Sequence, residues 1–253
     1  MTKLNIVAKL LTVSTLGFGL VGGMQNAQAI NLVPQKEGEI KTNLACIASR
    51  CIDTSSELGY TVTSLSYSNS SNSNTYAPSR LFVDDRKTGN NWGFGINFGT
   101  TDAGTNPAKD QYWFRPVALD KNGNAVENGQ LEVGRFKFDF GKIFSEVTLN
   151  LFDVEDTLKT GIFEINGNPV QQLVASAGLA DNGTTKFITL KNVSSFVIQA
   201  GYRGSDSVFP KTGDGVAIQA TAVPEPTVTA SLGALAVVGM LGLRKRKQVS
   251  PTA

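Results

Sequence analysis

The sequence of 253 residues contains no histidine and only two cysteines. The lack of histidine excludes Ser-His-Asp and Cys-His catalytic arrangements, and it removes the side chain that most often transfers protons near neutral pH. A tetrahedral zinc site would need two further ligands besides the cysteines, and histidine cannot supply them. Any catalytic chemistry in this chain is therefore restricted mainly to carboxylates.

Acidic residues are missing from both ends of the chain. Residues 1–29 and 227–253 hold six lysines and arginines and no aspartate or glutamate. Without those six cations, the formal net charge of +2 becomes −4 for residues 30–226. A protein that binds nucleic acid needs a clustered basic surface, so this balance argues against a nucleic-acid partner.

The first 29 residues have the pattern of a secretory signal peptide. Lys3 and Lys9 accompany an apolar stretch that runs from about Leu10 to Val21. The segment ends in Ala27-Gln28-Ala29, the small-x-small pattern that signal peptidase cleaves, so the mature chain is predicted to begin at Ile30. A buried N-terminal helix is the alternative. The apolar stretch is also short and rich in glycine, which favours a signal peptide over a membrane span.

Cys46 and Cys51 are close in sequence near the predicted mature N-terminus. In an exported protein such a pair most often forms a disulfide, and we predict a local Cys46–Cys51 bond. Their spacing does not match the C-x-x-C redox motif.

The C-terminal tail consists of a proline-containing motif, an apolar stretch and a basic cluster. These are Val223-Pro224-Glu225-Pro226, Thr227–Leu243 and Arg244-Lys245-Arg246-Lys247. A helix over the apolar stretch would be about 25 Å long, somewhat short of a hydrocarbon core of about 30 Å. The sequence predicts a weak C-terminal transmembrane helix whose cations stay in the cytoplasm, with the bulk of the protein outside. A plain membrane anchor is the alternative.

This tail resembles the PEP-CTERM sorting signal, here residues 223–248. The segment "GQLEVGRFKFDFGK", with Leu131-Glu132-Val133-Gly134, is similar to the signature of the cyanobacterial LEVG group of PEP-CTERM proteins. The segments "SRLFVDDRKTGNNWGFGINFGTTDAGTNPAKDQYW" and "LNLFDVEDT" extend the resemblance over nearly the whole mature chain. The resemblance implies that a membrane-embedded exosortase recognises the motif and removes the span during transit to the cell surface. It implies no biochemical activity.

Residues 30–222 are predicted to form an exported β-domain. Turn signals recur about every ten residues from Tyr112 onward, and the segments between them alternate with a period of two. The inward faces are predicted to carry Phe136, Phe138 and Phe140, and then Val147, Leu149 and Leu151. Trp92, Phe94, Ile96 and Phe98 also alternate as in one strand. The pattern predicts a mainly β fold, an antiparallel β-sandwich that is jelly-roll-like, with a Ser/Asn-rich loop at 64–76.

No catalytic residue, cofactor or metal ligand is predicted, although calcium is left as an alternative. The segments "VDDR", "TTDAGTNPAKD" and "FDVEDT" carry hard oxygen ligands of the kind that Ca²⁺ prefers. Trp92, Tyr112 and Trp113 could stack on sugar rings, but a core position is favoured for the two tryptophans.

The leading expectation is a non-enzymatic surface or extracellular-matrix protein. Its partners would be signal peptidase, an exosortase, the inner membrane before processing, and extracellular polysaccharide. The second expectation is a carbohydrate-binding β-sandwich, with or without calcium. The third is a glycan hydrolase based on carboxylates, which requires two acids that converge in a cleft.

Overall fold

The computed structural model describes residues 28–68, 75–76, 78–100, 110–119, 124, 132–154, 158–174, 185–201 and 216–225. Over these residues the chain is almost entirely β-structure, so the prediction of a mainly β fold is confirmed. One helix of four residues, α1 (Thr54–Glu57), begins after the N-cap Asp53. The strands are β1 (Ile30–Asn31), β2 (Gly38–Ile40), β3 (Cys51–Ile52), β4 (Thr61–Leu65), β5 (Tyr67–Ser68), β6 (Thr75–Tyr76), β7 (Arg80–Asp84), β8 (Asn90–Gly93), β9 (Ile96–Phe98), β10 (Trp113–Val117), β11 (Gly134–Phe152), β12 (Gly161–Ile165), β13 (Asn168–Leu173), β14 (Thr185–Ala200) and β15 (Ala217–Pro224).

Eleven of these strands form one sheet. Its order is β13-β12-β14-β11-β15-β10-β7-β2-β3, with β1 paired to β15 and β4 paired to β11. The pairs are antiparallel except β2–β3, which is parallel. The sheet is therefore mixed, and the prediction of a purely antiparallel arrangement is wrong at β3. Residues 41–50 return the chain to the start of its neighbour, as a parallel pair requires.

The two longest strands, β11 and β14, pair along most of their length. Their register shifts between Asp139 and Phe144, around Gly141, whose φ is 61°. Before this shift β11 also pairs with β4, and after it β11 pairs with β15. The sheet thus has two branches that share β11 and β14. We call them the β4 branch, which continues into β12 and β13, and the β15 branch, which continues into β10, β7, β2 and β3.

The inward side chains of β11 lie in one apolar core. All six residues predicted to face inward are buried, so both predicted faces are confirmed. Phe138 stacks on Phe196 of β14 with ring centroids 5.0 Å apart, and it lies 5.5 Å from the ring of Phe114 on β10. Because Phe138 belongs to the β4 branch and Phe114 to the β15 branch, both branches contribute to the same core.

A second apolar cluster covers the other face of β7 and β10. Phe82 and Val117 pack there with Trp92, Ile96 and Phe98 of the β8–β9 hairpin. Neighbouring residues of a strand face opposite sides, so β7 and β10 are buried on both faces. Their sequences, RLFVD and WFRPV, accordingly lack the alternation of a half-exposed strand.

The predicted single strand through Trp92, Phe94, Ile96 and Phe98 is wrong at its centre. The chain reverses at Phe94-Gly95, where both residues have positive φ, 53° and 83°, as the tight turn of a hairpin requires. Phe94 at this turn is 68% exposed, while the other three side chains are buried. Trp92 and Trp113 are both buried, which confirms the prediction of a core position for the two tryptophans.

Two boundaries differ from those predicted. Within the predicted loop 64–76, Ser64 and Leu65 belong to β4, and β5 pairs with β6; residues 69–74 lie outside the described residues. At the other end, β15 continues to Pro224, two residues beyond the predicted end of the domain at 222.

No helix in the described parts of the chain is long and apolar enough to cross a membrane. The predicted signal helix, up to residue 27, and the predicted transmembrane helix 227–243 lie outside the described residues.

Candidate functional site

Three buried carboxylates meet where β7 ends. Gly38 of β2 is opposite Val83 of β7, so Glu37 lies beside the end of β7, where Asp84 is followed by Asp85. One carboxylate oxygen from each of these three acids lies within 4.8 Å of the others. The exposed fractions are 8% for Glu37, 2% for Asp84 and 7% for Asp85. We call these three residues the acidic cluster.

Asp85 also holds the turn that follows β7. Its Oδ1 accepts hydrogen bonds from the backbone N–H groups of Lys87 (2.8 Å) and Thr88 (3.2 Å). Arg86, between Asp85 and Lys87, has a left-handed φ of 57°. Aspartate is favoured in such turns because its side chain bonds the backbone two residues ahead. Asp85 therefore has a structural role in addition to its place in the cluster.

A fully buried arginine, Arg115 of β10, lies beside Asp84. Its Nη1 is 3.4 Å from Asp84 Oδ2, and its Nε forms an ion pair with Glu132 Oε1. The guanidinium carbon is also 4.0 Å from the centroid of the Phe98 ring. A buried guanidinium needs partners that replace its lost hydration. Here two carboxylates and the face of an aromatic ring are those partners.

Glu132 belongs to the LEVG segment that carries the family resemblance. Its side chain is buried against Arg115, and its backbone carbonyl accepts a hydrogen bond from Val216 N–H (3.1 Å). At Gly134, a Cβ would lie 2.5 Å from the ring of Phe136, so a larger residue would collide with the core. In this segment, Glu132 pairs with a buried cation and Gly134 permits close packing of the core. Both roles are structural.

Burial and mutual contact shift the pKa values of the acidic cluster. Burial, followed by the hydrogen bond with Asp85, raises the pKa of Glu37 from 4.5 to about 7. Burial also acts to raise the pKa of Asp85, but hydrogen bonds from Glu37 and from the backbone of Lys87 and Thr88 outweigh it and lower that pKa. Burial raises the pKa of Asp84, and the charge of Arg115 opposes this only in part. Glu37 and Asp85 thus share one proton in mildly acidic solution, and Glu37 carries it.

This arrangement can share a proton or hold a hard cation, since carboxylate oxygens are preferred ligands of Ca²⁺ and Mg²⁺. A glycoside hydrolase needs two carboxyl groups that reach the substrate. The three residues of the cluster are instead each more than nine-tenths buried. The geometry favours a structural or ion-binding role for the cluster over hydrolysis.

Only one of the three acidic segments named from the sequence contributes to the cluster. "VDDR" supplies Asp84 and Asp85. In "TTDAGTNPAKD", Asp110 is exposed and its Oδ1 lies 2.6 Å from Lys87 Nζ. In "FDVEDT", Asp153 is buried just after β11 ends. Asp102, Glu155 and Asp156 lie outside the described residues.

The sequence patterns did not single out Glu37 or Arg115. A signal for Arg115 is present, because a lone charge within the apolar segment WFRPV must find a buried partner. Glu37 has no comparable signal. Its position beside Asp84 depends on the pairing of β2 with β7, which connects segments more than forty residues apart in sequence.

A second ion pair, between the buried Glu39 and the half-buried Arg80, and a disulfide hold the loop between β2 and β3. Glu39 is 2% exposed and pairs with Arg80, while its Oε2 accepts hydrogen bonds from the backbone N–H groups of Ile47 (2.6 Å) and Ala48 (2.9 Å). Cys46 and Cys51, the predicted pair, are joined by a disulfide across the same loop.

The predicted sorting motif begins inside the sheet. Val223 is paired with Glu146 of β11, and Pro224 with Phe144. Ser145 Oγ lies within hydrogen-bonding distance of the carbonyl oxygens of Val223 (3.0 Å) and Pro224 (3.3 Å). Glu225 is exposed, whereas Pro226 and the basic residues 244–247 lie outside the described residues.

The predicted mature N-terminus lies beside the same strand. Ile30 of β1 is opposite Ala222 of β15, and Asn31 is opposite Thr221. Ala29 is exposed, and Ala27 lies outside the described residues. The predicted signal-peptidase site and the predicted sorting motif are almost two hundred residues apart in sequence. The strands next to them, β1 and β15, are nevertheless neighbours in the sheet.

Comparison of the chain with protein-family models, curated proteins and solved structures found no match.

Proposed function

We propose that this protein is an exported cell-surface or extracellular-matrix protein that an exosortase sorts and processes. The observation that carries the proposal is the C-terminal tail, in which Pro-Glu-Pro, an apolar stretch and four cations follow one another. The signal-peptide pattern at residues 1–29 supports it from the other end of the chain. The resemblance to the LEVG group adds a cyanobacterial host and a setting of extracellular polysaccharide.

The position of the motif in the fold is consistent with this proposal. β15 is the last described strand, it ends at Pro224, and Glu225 after it is exposed. A sorting enzyme could reach the chain from Glu225 onward while the sheet remains intact. Protein on the outer side of the membrane would then lack residues beyond about Pro226.

The role that we propose for the domain is structural or adhesive, and not enzymatic. The buried charges support this, because Asp84, Glu132 and Arg115 pair with one another inside the fold. We also propose that the two branches of the sheet are the layers of a jelly-roll-like β-sandwich. The contact between Phe114 and Phe138, across the shared core, supports this finer description.

The sorting proposal is tested by the intact mass and location of the protein in its own host. The test variant is Glu225→Ala with Pro226→Ala, which leaves every residue of β15 unchanged. The matched control is Ser250→Ala with Pro251→Ala, which alters the tail beyond the basic cluster. Wild type and control are expected outside the cell without the tail, and the test variant at full length in the inner membrane. If all three keep the tail and stay in the membrane, the tail is an anchor and the proposal is wrong.

A carbohydrate-binding role is the second candidate, and one surface feature favours it. Phe187, Asn150 and Gln219 are directly opposite one another on β14, β11 and β15. Phe187 is 67% exposed, and Asn150 Nδ2 donates a hydrogen bond to Gln219 Oε1 (3.3 Å). A flat aromatic side chain beside amide groups can stack on a sugar ring and bond its hydroxyls.

This second candidate is tested by retardation of the protein in gels that contain the host's polysaccharide. Phe187→Ala is expected to abolish retardation. Phe94→Ala, which removes an equally exposed phenylalanine elsewhere, is expected to leave it unchanged. Equal retardation of both variants and the wild type would exclude the surface formed by Phe187, Asn150 and Gln219 as the binding site.

A further inference from the structure

Arg115 connects the acidic cluster to Glu132, because it pairs with Asp84 of the cluster and with Glu132. Among the described residues, Arg115 is the only buried cation. It is engaged by Asp84 and Glu132, whereas Glu37 and Asp85 face each other across the cluster. Buried charges of one sign are unfavourable unless another charge or a proton compensates for them.

Glu37 provides a second observation, independent of the grouping of acids. Its Oε1 atom is inaccessible to solvent and has no hydrogen-bond partner. The other bonds of this side chain are made with Asp85 and Asn90. Nearly all buried polar atoms have a partner, so an unpartnered oxygen on a carboxyl group that reaches two other carboxylates is a natural ligand for a cation.

We propose that Glu37, Asp84 and Asp85 bind one Ca²⁺ ion, with Glu37 Oε1 among its ligands. An ion at the centre of three oxygens that are at most 4.8 Å apart lies no more than about 2.8 Å from each, close to the 2.3–2.6 Å of calcium–oxygen bonds. Small adjustments of the side chains suffice to reach that distance.

The chemistry of the cluster selects a hard cation of this size. All three ligands are carboxylates, and both cysteines are in a disulfide, so a soft metal has no preferred ligand here. Mg²⁺ retains several water molecules and demands octahedral geometry, whereas Ca²⁺ accepts irregular sites with more protein oxygens. A buried cluster on two strand ends is better suited to Ca²⁺.

Binding of Ca²⁺ would link β2 to β7. Glu37 precedes β2, Asp84 ends β7 and Asp85 follows it. The ion therefore joins segments that also meet through the short Gly38–Glu39 pairing with Phe82–Val83 and through the Glu39–Arg80 ion pair. The folded state alone assembles the three ligands, and the ion therefore stabilises it. This inference does not depend on export or on sorting of the protein.

The test uses the protein purified from its host, freed of metal with a chelator and returned to buffer at about pH 8, where carboxylates are ionised. Thermal unfolding and isothermal titration calorimetry are measured with CaCl₂ and, separately, MgCl₂, at about 5 mM in the unfolding experiments. We expect Ca²⁺ to raise the Tm by about 3 °C or more and to release binding heat with a stoichiometry of about one. Mg²⁺ is expected to have a much smaller effect.

Two isosteric variants and one matched control locate the ion. Glu37→Gln and Asp85→Asn are each expected to remove most of the Ca²⁺-dependent increase in Tm. Glu57→Gln, which changes an exposed glutamate paired with Lys36, is expected to keep it in full. The proposal is overturned if wild type shows neither a Tm increase nor binding heat, if Mg²⁺ acts as strongly as Ca²⁺, or if Glu37→Gln responds like wild type. Where a variant does not fold, the titrations of the wild type decide.

Discussion

Phe114 and Arg115 are neighbours on β10, yet the two faces on which they lie are stabilised in different ways. Phe114 faces the apolar core and contacts Phe138, so its surroundings depend on packing and apolar burial. Arg115 faces the hairpin of β8 and β9 and depends on Asp84, Glu132 and the ring of Phe98. The first face should respond to changes of volume, and the second to changes of charge, pH and cation.

The largest effect is expected on the apolar face. Phe138→Ala removes a ring that contacts both Phe114 and Phe196, and we expect it to lower the free energy of unfolding by about 4 kcal/mol. Urea denaturation followed by tryptophan fluorescence measures this change. Phe187→Ala, on the exposed side of β14, serves as control and should change stability by less than about 0.5 kcal/mol. Similar losses in both variants would contradict the assignment of Phe138 to the core.

A somewhat smaller loss is expected on the charged face. Arg115→Met leaves Asp84 and Glu132 buried without their cation, and we expect a loss of about 3 kcal/mol in urea denaturation at neutral pH. Adding Glu132→Gln to Arg115→Met removes one of the two buried charges that are left without a cation. The double variant should therefore recover part of the lost stability. A double variant less stable than Arg115→Met would show that charge compensation is not what stabilises this face.

The pH dependence separates the two faces further. The folded chain holds a proton on Glu37 up to about pH 7, whereas the unfolded chain releases it near 4.5. Between these values the folded state binds more protons, so the free energy of unfolding should fall as pH rises from about 5 to about 8, by on the order of 1 kcal/mol. Denaturation of calcium-free protein across that range measures the slope. Glu37→Gln cannot titrate and should flatten it, while Phe138→Ala should keep the wild-type slope.

The smallest effect concerns the end of β15. Ser145→Ala removes the hydroxyl that bonds the carbonyls of Val223 and Pro224, at an expected cost of about 0.5–1 kcal/mol. Limited proteolysis should then cut faster around Val223–Pro224. Ser49→Ala, at an exposed serine in the loop after β2, is the control and should leave the cleavage rate unchanged. If the two variants are cut equally slowly, Ser145 does not hold the motif.

The apolar half of this comparison could be predicted from the sequence. Alternation in "RFKFDFG" and "EVTLNLF" marked the buried faces of β11, because a strand half-exposed to solvent has a period of two. The same reasoning failed at "WGFGINFG", where alternation continued through a turn and Phe94 became exposed. It also missed the parallel β2–β3 pair, since direction is set by the path of residues 41–50 and not by a local pattern.

The charged half could be predicted only in part. "VDDR" drew attention to Asp84 and Asp85, but their partners come from distant segments. Glu37 arrives through strand pairing, and Glu132 through the pairing of its side chain with Arg115. Glu132 was noticed as part of a signature and not as a buried acid. Contacts between segments far apart in sequence leave no local sequence pattern. A site built from such contacts can therefore be located only when the strand order is known.

The pairing of β1 and β11 with β15 has a mechanical consequence. A pull applied at the C-terminal end of β15, along its axis, acts on a strand that lies between β11 and, over different parts of its length, β10 and β1. Hydrogen bonds between such strands are perpendicular to the pull and share the load at once, in shear, instead of opening one after another like a zipper. A domain pulled in this direction would therefore resist extension at β15 itself.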